Sequence, residues 1–336
     1  MKGVWVWGTP IKGKTSTGQE IDILVLDTEG LGSTDVDKNH DNRIFSMALL
    51  LSSLFIYNSV GNIDENALND LSLVVNITKN IKVKSNTSFD EPDSEDYAKH
   101  LPAFLWVVRD FSLQLINAEG DPITSNQYLD LALTPQKGFS DDIEQKNRIR
   151  RLISSFFKER ECVTLVRPFI DEQDLQSFEN KELDELRPEF REQALNLKTL
   201  IFQNVKPKQL YGKNLTGDLY CELINSYVEA INKGAVPNIE TSWIYICKQQ
   251  CIKSLEEGLA CYDSFLKDDV ECQLPMDPQK LNQAHGETKK LILEKFRSDT
   301  HPDERAEYEQ ELLKQLKKKY RLIKAKNEAI CSVTQQ

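Results

Sequence analysis

The sequence predicts an α/β fold, in which a mostly parallel sheet flanked by helices precedes an all-α part. Short apolar runs at residues 21–26, 54–57 and 103–108 have the length and composition of buried strands. Segments with helical periodicity separate these runs, as they do in βαβ units. Beyond residue 182 the strand signals fade, and the chain continues as a series of helical stretches.

The chain begins with a predicted hairpin. Residues 2–7 (KGVWVW) are rich in β-branched and aromatic side chains, Gly8 to Gly13 supply turn residues, and the strand at 21–26 follows. The remaining elements of this part are predicted as helices at 42–51, 63–82, 124–133 and 144–157, a surface loop at 85–99, and strands at 54–57, 103–108 and 162–166.

Helices make up the rest of the chain. They are predicted at residues 188–202, 218–232, 238–265, 281–296 and 302–329. Gly234 and Pro237 can end one helix and begin the next, so we place a domain boundary there, with domains 1–233 and 234–336. In the second domain, apolar residues recur at spacings that suit helix packing: Leu255, Leu259, Leu281, Leu291, Leu293, Phe296, Leu312 and Leu316.

Composition and charge limit which partners and which cellular compartment are expected. The net charge of −11 argues against nucleic acid and anionic membrane as main partners. The apolar region 47–60 is too short and too polar to span a bilayer, and the C-terminus carries no prenylation signal, so we expect neither a membrane span nor a lipid anchor. Seven cysteines without a secretory signal indicate reduced thiols and a cytoplasmic protein.

The first functional signal is D-T-E-G at Asp27, Thr28, Glu29 and Gly30, directly after an apolar strand. An Asp in this position can hold a Mg²⁺-bound water, and a Gly can bring its backbone N–H close to a γ-phosphate because it has no Cβ. The pattern is short and also occurs by chance, so an ordinary turn Asp is the alternative. In P-loop GTPases a strand, the loop G-x-x-x-x-G-K-[ST] and a helix precede this motif. We expect this chain to lack that unit.

The second signal is Arg109-Asp110, at the end of the strand predicted at 103–108. Ligands of open α/β sheets bind at the carboxyl ends of the strands, so both motifs can face one ligand. An Asp carboxylate can accept hydrogen bonds from guanine N1–H and from its exocyclic amine, and an Arg beside it can stack on the base. A surface ion pair is the alternative interpretation. The common guanine motif N-K-x-D is absent, because Asn180-Lys181 lacks the Asp.

These two motifs and their surroundings resemble the guanylate-binding protein family of large, dynamin-like GTPases. KGVWVW is similar to the segment after switch I, DTEGLGSTD to switch II, and VVRDFSLQL to the segment that reads the base. Residues 166–190 occupy the place of the guanine cap, and the helices after 237 resemble the start of the family's elongated helical domain. The resemblance covers essentially the whole chain.

The resemblance implies a partial GTPase domain of the P-loop-GTPase type at 1–233 and the first part of a helical domain at 234–336. It implies GTP as substrate, Mg²⁺ as cofactor, and homo- or hetero-association of family members through the GTPase domain. By resemblance, Asp27, Glu29 and Gly30 are catalytic, and Asp27 holds Mg²⁺ through a water. Nucleotide-binding residues are implied at Asp27, Thr28, Glu29, Gly30, Leu31, Arg109 and Asp110.

The resemblance also implies a chain truncated at both ends. The family's P-loop, switch I and first strand fall upstream of Met1, and the helical domain is cut short. The first strand would lie between the strands at 21–26 and 54–57, so we expect exposed apolar edges there. We therefore expect impaired nucleotide binding and a chain that is inactive alone. The alternative is a non-catalytic interaction protein that associates with intact family members.

Overall fold

The chain folds into two compact units, residues 1–239 and 240–336. The computed structural model describes residues 3–15, 17–28, 38–71, 81–83, 94–138, 140–177, 179 and 181–334. The predicted boundary between residues 233 and 234 lies close to this division and stays a prediction.

The first unit combines strands and helices. Its strands are β1 (Val4–Val6), β2 (Ile11–Lys14), β3 (Glu20–Ile23), β4 (Leu26–Thr28), β5 (Leu54–Val60), β6 (Ala103–Arg109), β7 (Arg160–Thr164), β8 (Gln209–Leu210) and β9 (Lys213–Asn214). Its helices are α1 (Lys38–Leu51), α2 (Glu65–Asp70), α3 (Ser94–Ala98), α4 (Ser125–Ala132), α5 (Asp141–Phe156), α6 (Glu172–Gln176), α7 (Pro188–Asn204) and α8 (Gly217–Asn232).

The predicted N-terminal hairpin is present, but its ladder is divided. β1 pairs antiparallel with β4, and β2 pairs antiparallel with β3. Between the two ladders, the N–H of Trp7 donates to the carbonyl of Val25 at 2.9 Å, which keeps the two halves in register. Among the described residues, neither ladder pairs with another strand.

A parallel sheet, β5–β6–β7, forms the centre of the first unit. Five of the seven residues of β6 are buried. One face of the sheet, with Leu105 and Val107, packs against apolar residues of α7, and on the other face the Phe104 ring lies 4.8 Å from that of Phe157. Burial on both faces explains why β6 is an unbroken apolar run.

Most predicted elements of the first unit are confirmed within a few residues. For example, α4 begins at a capping box, in which Thr124 and Gln127 exchange hydrogen bonds of 2.8 and 3.1 Å. The prediction of a loop over 85–99 is wrong at its end, where α3 forms, and residues 84–93 lie outside the described part. Of the helix predicted at 63–82, α2 forms and residues 72–80 lie outside the described part. The short elements β2, α6, β8 and β9 were not predicted, and the turn predicted at 8–13 is wrong at its end, where β2 begins.

The second unit is built from long helices. They are α9 (Ile239–Phe265), α10 (Pro278–Asp299) and α11 (Pro302–Thr334), and a π-helical turn at Leu266–Val270 extends α9. Their core contains Tyr262, Ile292, Phe296, Leu312 and Leu316.

The prediction that Leu291 packs in the core of this unit is wrong. Leu291 is 67% exposed, and its neighbour Ile292 is buried instead. Leu281 joins a second small core with Val270 and Ile323, and the other predicted residues are buried or partly buried. Asn327, buried in the same unit, bonds both the N–H and the carbonyl of Met276 at 2.8 Å. The predicted packing is therefore largely confirmed.

A histidine lies among the three long helices. The Tyr262 hydroxyl and His285 Nδ1 are 2.7 Å apart, and the His285 ring stacks on Tyr320 at 4.0 Å. Burial, and secondarily the charge of Lys289, lower the pKa of His285 below its usual 6.5. The folded state therefore binds this proton less readily than the unfolded state does, so its stability should fall as the pH drops below about 6.5.

We expect His285→Gln to reduce this acid sensitivity. The amide cannot be protonated in this range, so the melting temperature of the variant should fall less between pH 7.5 and pH 5 than that of the wild type. Thermal unfolding followed by far-UV circular dichroism measures the difference. Gln283→Ala, at an exposed position of the same helix, removes no ionisable group, so it serves as the control and should leave the pH dependence of melting unchanged. Equal pH dependence in wild type and His285→Gln would contradict the assignment.

Candidate functional site

The first predicted motif follows β4. Asp27 is exposed, Thr28 is half-buried, and Thr28 pairs with Val4 in the ladder between β1 and β4. This pairing fixes the backbone immediately before the motif. Glu29, Gly30 and Leu31 lie outside the described residues, so their predicted roles stay predictions.

The second predicted motif follows β6 and is held on both sides. The N–H of Gly61 donates to the carbonyl of Arg109 at 2.8 Å, and the N–H of Phe111 donates to the carbonyl of Leu165 at 2.9 Å. Asp110, between these anchors, has a φ of 55°. Asp tolerates this left-handed conformation better than most residues do. The backbone around Asp110 is therefore fixed by neighbouring strand ends, which suits a side chain that must read a ligand.

Packing below this turn adds to its rigidity. Phe111 is buried, and its ring lies 5.5 Å from that of Tyr128. The Tyr128 hydroxyl accepts a 2.9 Å hydrogen bond from the N–H of Ile63, just beyond the end of β5. One aromatic pair thus connects the turn after β6 with the segment after β5.

Arg109 is oriented by the neighbouring strand. Its Nε donates to Oδ1 of Asn58 at 2.8 Å. Asn58 lies on β5 directly opposite Val107 in the register, and it also lines a large cleft that contains Asp27 and Thr28. Among the described residues, no hydrogen bond joins Asp27 or Thr28 to Arg109 or Asp110. Asn58 is the residue that connects the two predicted motifs, because it contacts Arg109 and lines the cleft.

The cleft has a volume of about 2160 Å³. Residues 20–28 form one wall and residues 52–60 form the other. Parts of α7 and α8 also contribute, with Ile201 and Tyr220. The exposed apolar edges expected between the strands at 21–26 and 54–57 are present here, since Leu24, Val25 and Ile56 are 38%, 46% and 41% exposed.

A lysine side chain forms a hydrogen bond to the backbone just before β5. Nζ of Lys208 donates to the carbonyl of Ser52 at 2.8 Å, and burial lowers the pKa of Lys208 to about 7. Nearby, the Tyr220 hydroxyl donates to the carbonyl of Leu51 at 3.1 Å. Two side chains from the C-terminal part of the first unit therefore satisfy carbonyls where α1 passes into β5.

Sequence reasoning missed a segment whose residues match the P-loop consensus pattern. Gly8 to Thr15 reads GTPIKGKT, which fits G-x-x-x-x-G-K-[ST]. A phosphate-binding loop joins a strand to a helix N-terminus, where its N–H groups converge. Here Gly13 and Lys14 instead belong to β2 and pair with β3, and the next element after the turn is β3 itself. Half of this segment therefore forms a strand of a hairpin, and it does not provide a phosphate-binding loop.

Comparison with known proteins identifies the relationship. Residues 1–210 match the sequence profile described as guanylate-binding protein, N-terminal domain, and residues 211–334 match the corresponding C-terminal domain. Guanylate-binding protein 1 of Homo sapiens is 34% identical over 324 residues, which is 95% of this chain and 53% of that protein. Guanylate-binding protein 3 of Mus musculus is 32% identical over 98% of this chain and 52% of its own length.

The chain thus spans about half the length of the curated relatives it matches. Within the part of the chain that the structure describes, no helix is long and apolar enough to cross a membrane.

Proposed function

The chain belongs to the guanylate-binding protein family, and on this premise we propose that it carries the switch and base-reading side of a guanine-nucleotide site in a GTP-hydrolysing, dynamin-like protein. One observation carries this proposal. The turn after β6 holds Asp110 at positive φ between two backbone hydrogen bonds and places Arg109 against Asn58 at the rim of the cleft.

Each residue then has a chemical role. The Asp110 carboxylate accepts from guanine N1–H and the exocyclic amine, a pair of donors that adenine does not present. The Arg109 guanidinium stacks on the base plane, and its bond to Asn58 sets the orientation of the plane. By resemblance to the family, Glu29 and Gly30 act at the γ-phosphate, where a glycine allows its backbone N–H to approach closely.

Asp27 fits a role in holding Mg²⁺ through a water. Its carboxylate is exposed at the cleft, and Mg²⁺ is usually bound through one or two carboxylates, several waters and substrate phosphates. Among the described residues, no group of three or more His, Cys, Asp or Glu side chains could hold a metal by itself. Asp27 would hold one water of a bound Mg²⁺, and the ion would supply positive charge to the nucleotide phosphates.

A binding experiment tests the proposal. The described residues contain no phosphate-binding loop. Such a loop contributes about four charge-assisted hydrogen bonds to the phosphates, and without them, at about 1.5 kcal/mol each, the affinity for nucleotide should be about four decades weaker. We therefore expect the 336-residue chain to bind fluorescent GDP more weakly than about 100 µM, and a protein that joins a relative's phosphate-binding segment to this chain to bind it in the low micromolar range. Calorimetry with GDP and ADP measures both. Equal affinity of the joined protein for GDP and ADP would contradict a guanine site.

Removal of the Asp27 carboxylate should affect hydrolysis more than binding. In the joined protein, we expect Asp27→Ala to lower kcat for GTP by at least about ten-fold and to change GDP affinity by less than about three-fold, because the γ-phosphate end is absent from GDP. Phosphate release measures kcat. Asp121→Ala, at an exposed turn outside the cleft, is the control. An unchanged kcat for Asp27→Ala would remove this residue from the mechanism.

We further propose that the chain associates with family members through its first unit and acts in the cytoplasm. Two large apolar side chains of the cap segment support association, since Ile170 is 82% and Leu183 is 78% exposed. All seven of its cysteines are free thiols, which favours a reducing compartment.

A further inference from the structure

The backbone that follows β7 is bonded to both ends of the turn after β6. The N–H of Leu165 donates to the carbonyl of Val108 at 2.8 Å, and the carbonyl of Leu165 accepts from the N–H of Phe111 at 2.9 Å. Arg109 and Asp110 lie between these two bonds. Leu165 itself is buried. Any shift of this residue is therefore passed directly to the backbone that carries Asp110.

The residues that follow are held by α7 and by the residue before it. The N–H of Val166 donates to Oε1 of Gln193 at 2.7 Å. The backbone N–H of Arg187, directly before α7, donates to the carbonyl of Pro168 at 3.0 Å, and its Nη1 donates to the carbonyl of Arg167 at 3.4 Å. The bond to Gln193 is the shortest of the three and lies closest along the chain to the end of β7.

Gln193 is a polar residue on the apolar face of α7. The residues of this helix that pack against the parallel sheet recur at helical spacing: Phe190, Leu197, Leu200 and Ile201. Gln193 comes three residues after the first of these and four before the second, so it lies on the same face. A half-buried amide on such a face is costly unless it is hydrogen-bonded, and its oxygen accepts from Val166. The amide thus has one specific backbone partner.

We propose that Gln193 is a positioning residue for guanine recognition, an inference that rests on the proposed guanine site at Asp110. The amide oxygen of Gln193 fixes Val166, and the carbonyl of the adjacent Leu165 fixes the N–H of Phe111. Asp110 is thereby held where its carboxylate meets both donors of guanine. Misplacement by about 1 Å is enough to weaken such contacts strongly.

A comparison of GDP with IDP measures this placement. Hypoxanthine, the base of IDP, lacks the exocyclic amine of guanine, so one of the two bonds to Asp110 is lost. A hydrogen bond to a charged group is worth at least about ten-fold in affinity, so the joined protein should prefer GDP to IDP by at least this factor. Gln193→Leu removes the acceptor for Val166 and should lower the preference at least about three-fold. Competition against fluorescent GDP measures both affinities.

Further variants separate positioning from stability. Gln193→Glu keeps an oxygen at the same reach and should retain the preference within about two-fold, whereas Gln193→Asn shortens the side chain and should lower the preference as Gln193→Leu does. Gln203→Leu, at an exposed position near the end of the same helix, is the control and should leave the preference unchanged. A side chain that only stabilised the fold would change the melting temperature and not the preference.

Amide exchange measured by NMR tests the backbone contacts on the chain as it exists. In Gln193→Asn, exchange at Val166 and Phe111 should be at least about five-fold faster than in wild type, because the first amide loses its partner and the second loses a fixed one. Exchange at Gly61, which donates to the carbonyl of Arg109 from the side of β5, should change less than about two-fold.

The outcomes distinguish this inference from the proposed function. Equal affinity of the joined wild-type protein for GDP and ADP would contradict the guanine site, and this inference with it. Preference for GDP over ADP, with an unchanged preference for GDP over IDP in Gln193→Asn, would overturn the positioning role alone. Unchanged exchange at Phe111 in that variant would also overturn it. Because Gln193→Asn keeps a polar side chain, these tests remain decisive even if Gln193→Leu fails to fold.

Discussion

Replacement of Trp106 by Ala should lower the free energy of unfolding of the first unit by about 3–5 kcal/mol. Trp106 is 0% exposed and lies in the middle of β6. Its ring packs edge-on against Tyr57 at 5.3 Å and against Phe104 at 6.1 Å, and its Nε1 donates to Ser59 Oγ at 2.8 Å. Truncation removes the aromatic contacts, opens a cavity between β5 and β6, and leaves the Ser59 hydroxyl without this donor.

The measurement is urea unfolding of the full chain followed by near-UV circular dichroism. Trp7→Ala is the matched control, because this Trp is 69% exposed and should contribute within about 0.5 kcal/mol. Trp106→Phe should recover part of the loss by refilling the ring volume, but not the bond to Ser59. A shift for Trp106→Ala no larger than that for Trp7→Ala would show that the sheet around β6 is not a cooperative core.

The strands and helices that sequence predicts correctly are those with a strong local cause. The unbroken apolar run of β6 requires burial on both faces, and a buried parallel strand is the element that meets this requirement. The start of α4 follows from the capping pair Thr124 and Gln127. In both cases a few neighbouring residues determine the structure, so the element can be predicted from the local sequence pattern.

The elements that were missed depend on weaker or non-local causes. β8 and β9 have two residues each. The turn between them consists of Tyr211 and Gly212, both at positive φ, whereas the usual sequence signal for such a turn is Asn-Gly. In α10, Leu291 and Ile292 are adjacent apolar residues about 100° apart on the helix, and spacing alone does not decide which one faces the core. The contacts of Ile292 with Tyr262 and Leu312 decide it.

The candidate site shows the same division. The end of β6 was predictable because an apolar strand followed by charged residues marks the ligand edge of a parallel sheet. The same rule does not place the end of β4, which pairs antiparallel with β1 and lies outside the parallel sheet. The bond from Arg109 to Asn58 was not predictable, because these residues are 51 positions apart in sequence and meet only through the register of β5 and β6. The P-loop match at residues 8–15 is the converse case, since correct letters occur on a hairpin strand that cannot cradle phosphate.

The largest effect on function is expected for Asp110→Asn, in the protein that joins a relative's phosphate-binding segment to this chain. The carboxylate accepts two donors from guanine, whereas an amide accepts one and presents a donor of its own. That donor faces the exocyclic amine of guanine unfavourably but suits the carbonyl that xanthine carries at the same position. Buried polar mismatches of this kind change discrimination by about 10²–10⁴-fold, so the ratio of GTP to XTP affinity should fall by this factor.

The substitution isolates the chemistry of the base contact from the backbone that holds it. Asn adopts the left-handed conformation as readily as Asp, so the φ of 55° and the bonds from Gly61 and Phe111 should persist. Competition against fluorescent GDP measures both affinities. Arg109→Lys is the comparison, because loss of stacking should weaken GTP and XTP alike and leave their ratio unchanged. If Asp110→Asn leaves the ratio unchanged, Asp110 does not read the base, and another residue of the turn or cap must supply the specificity.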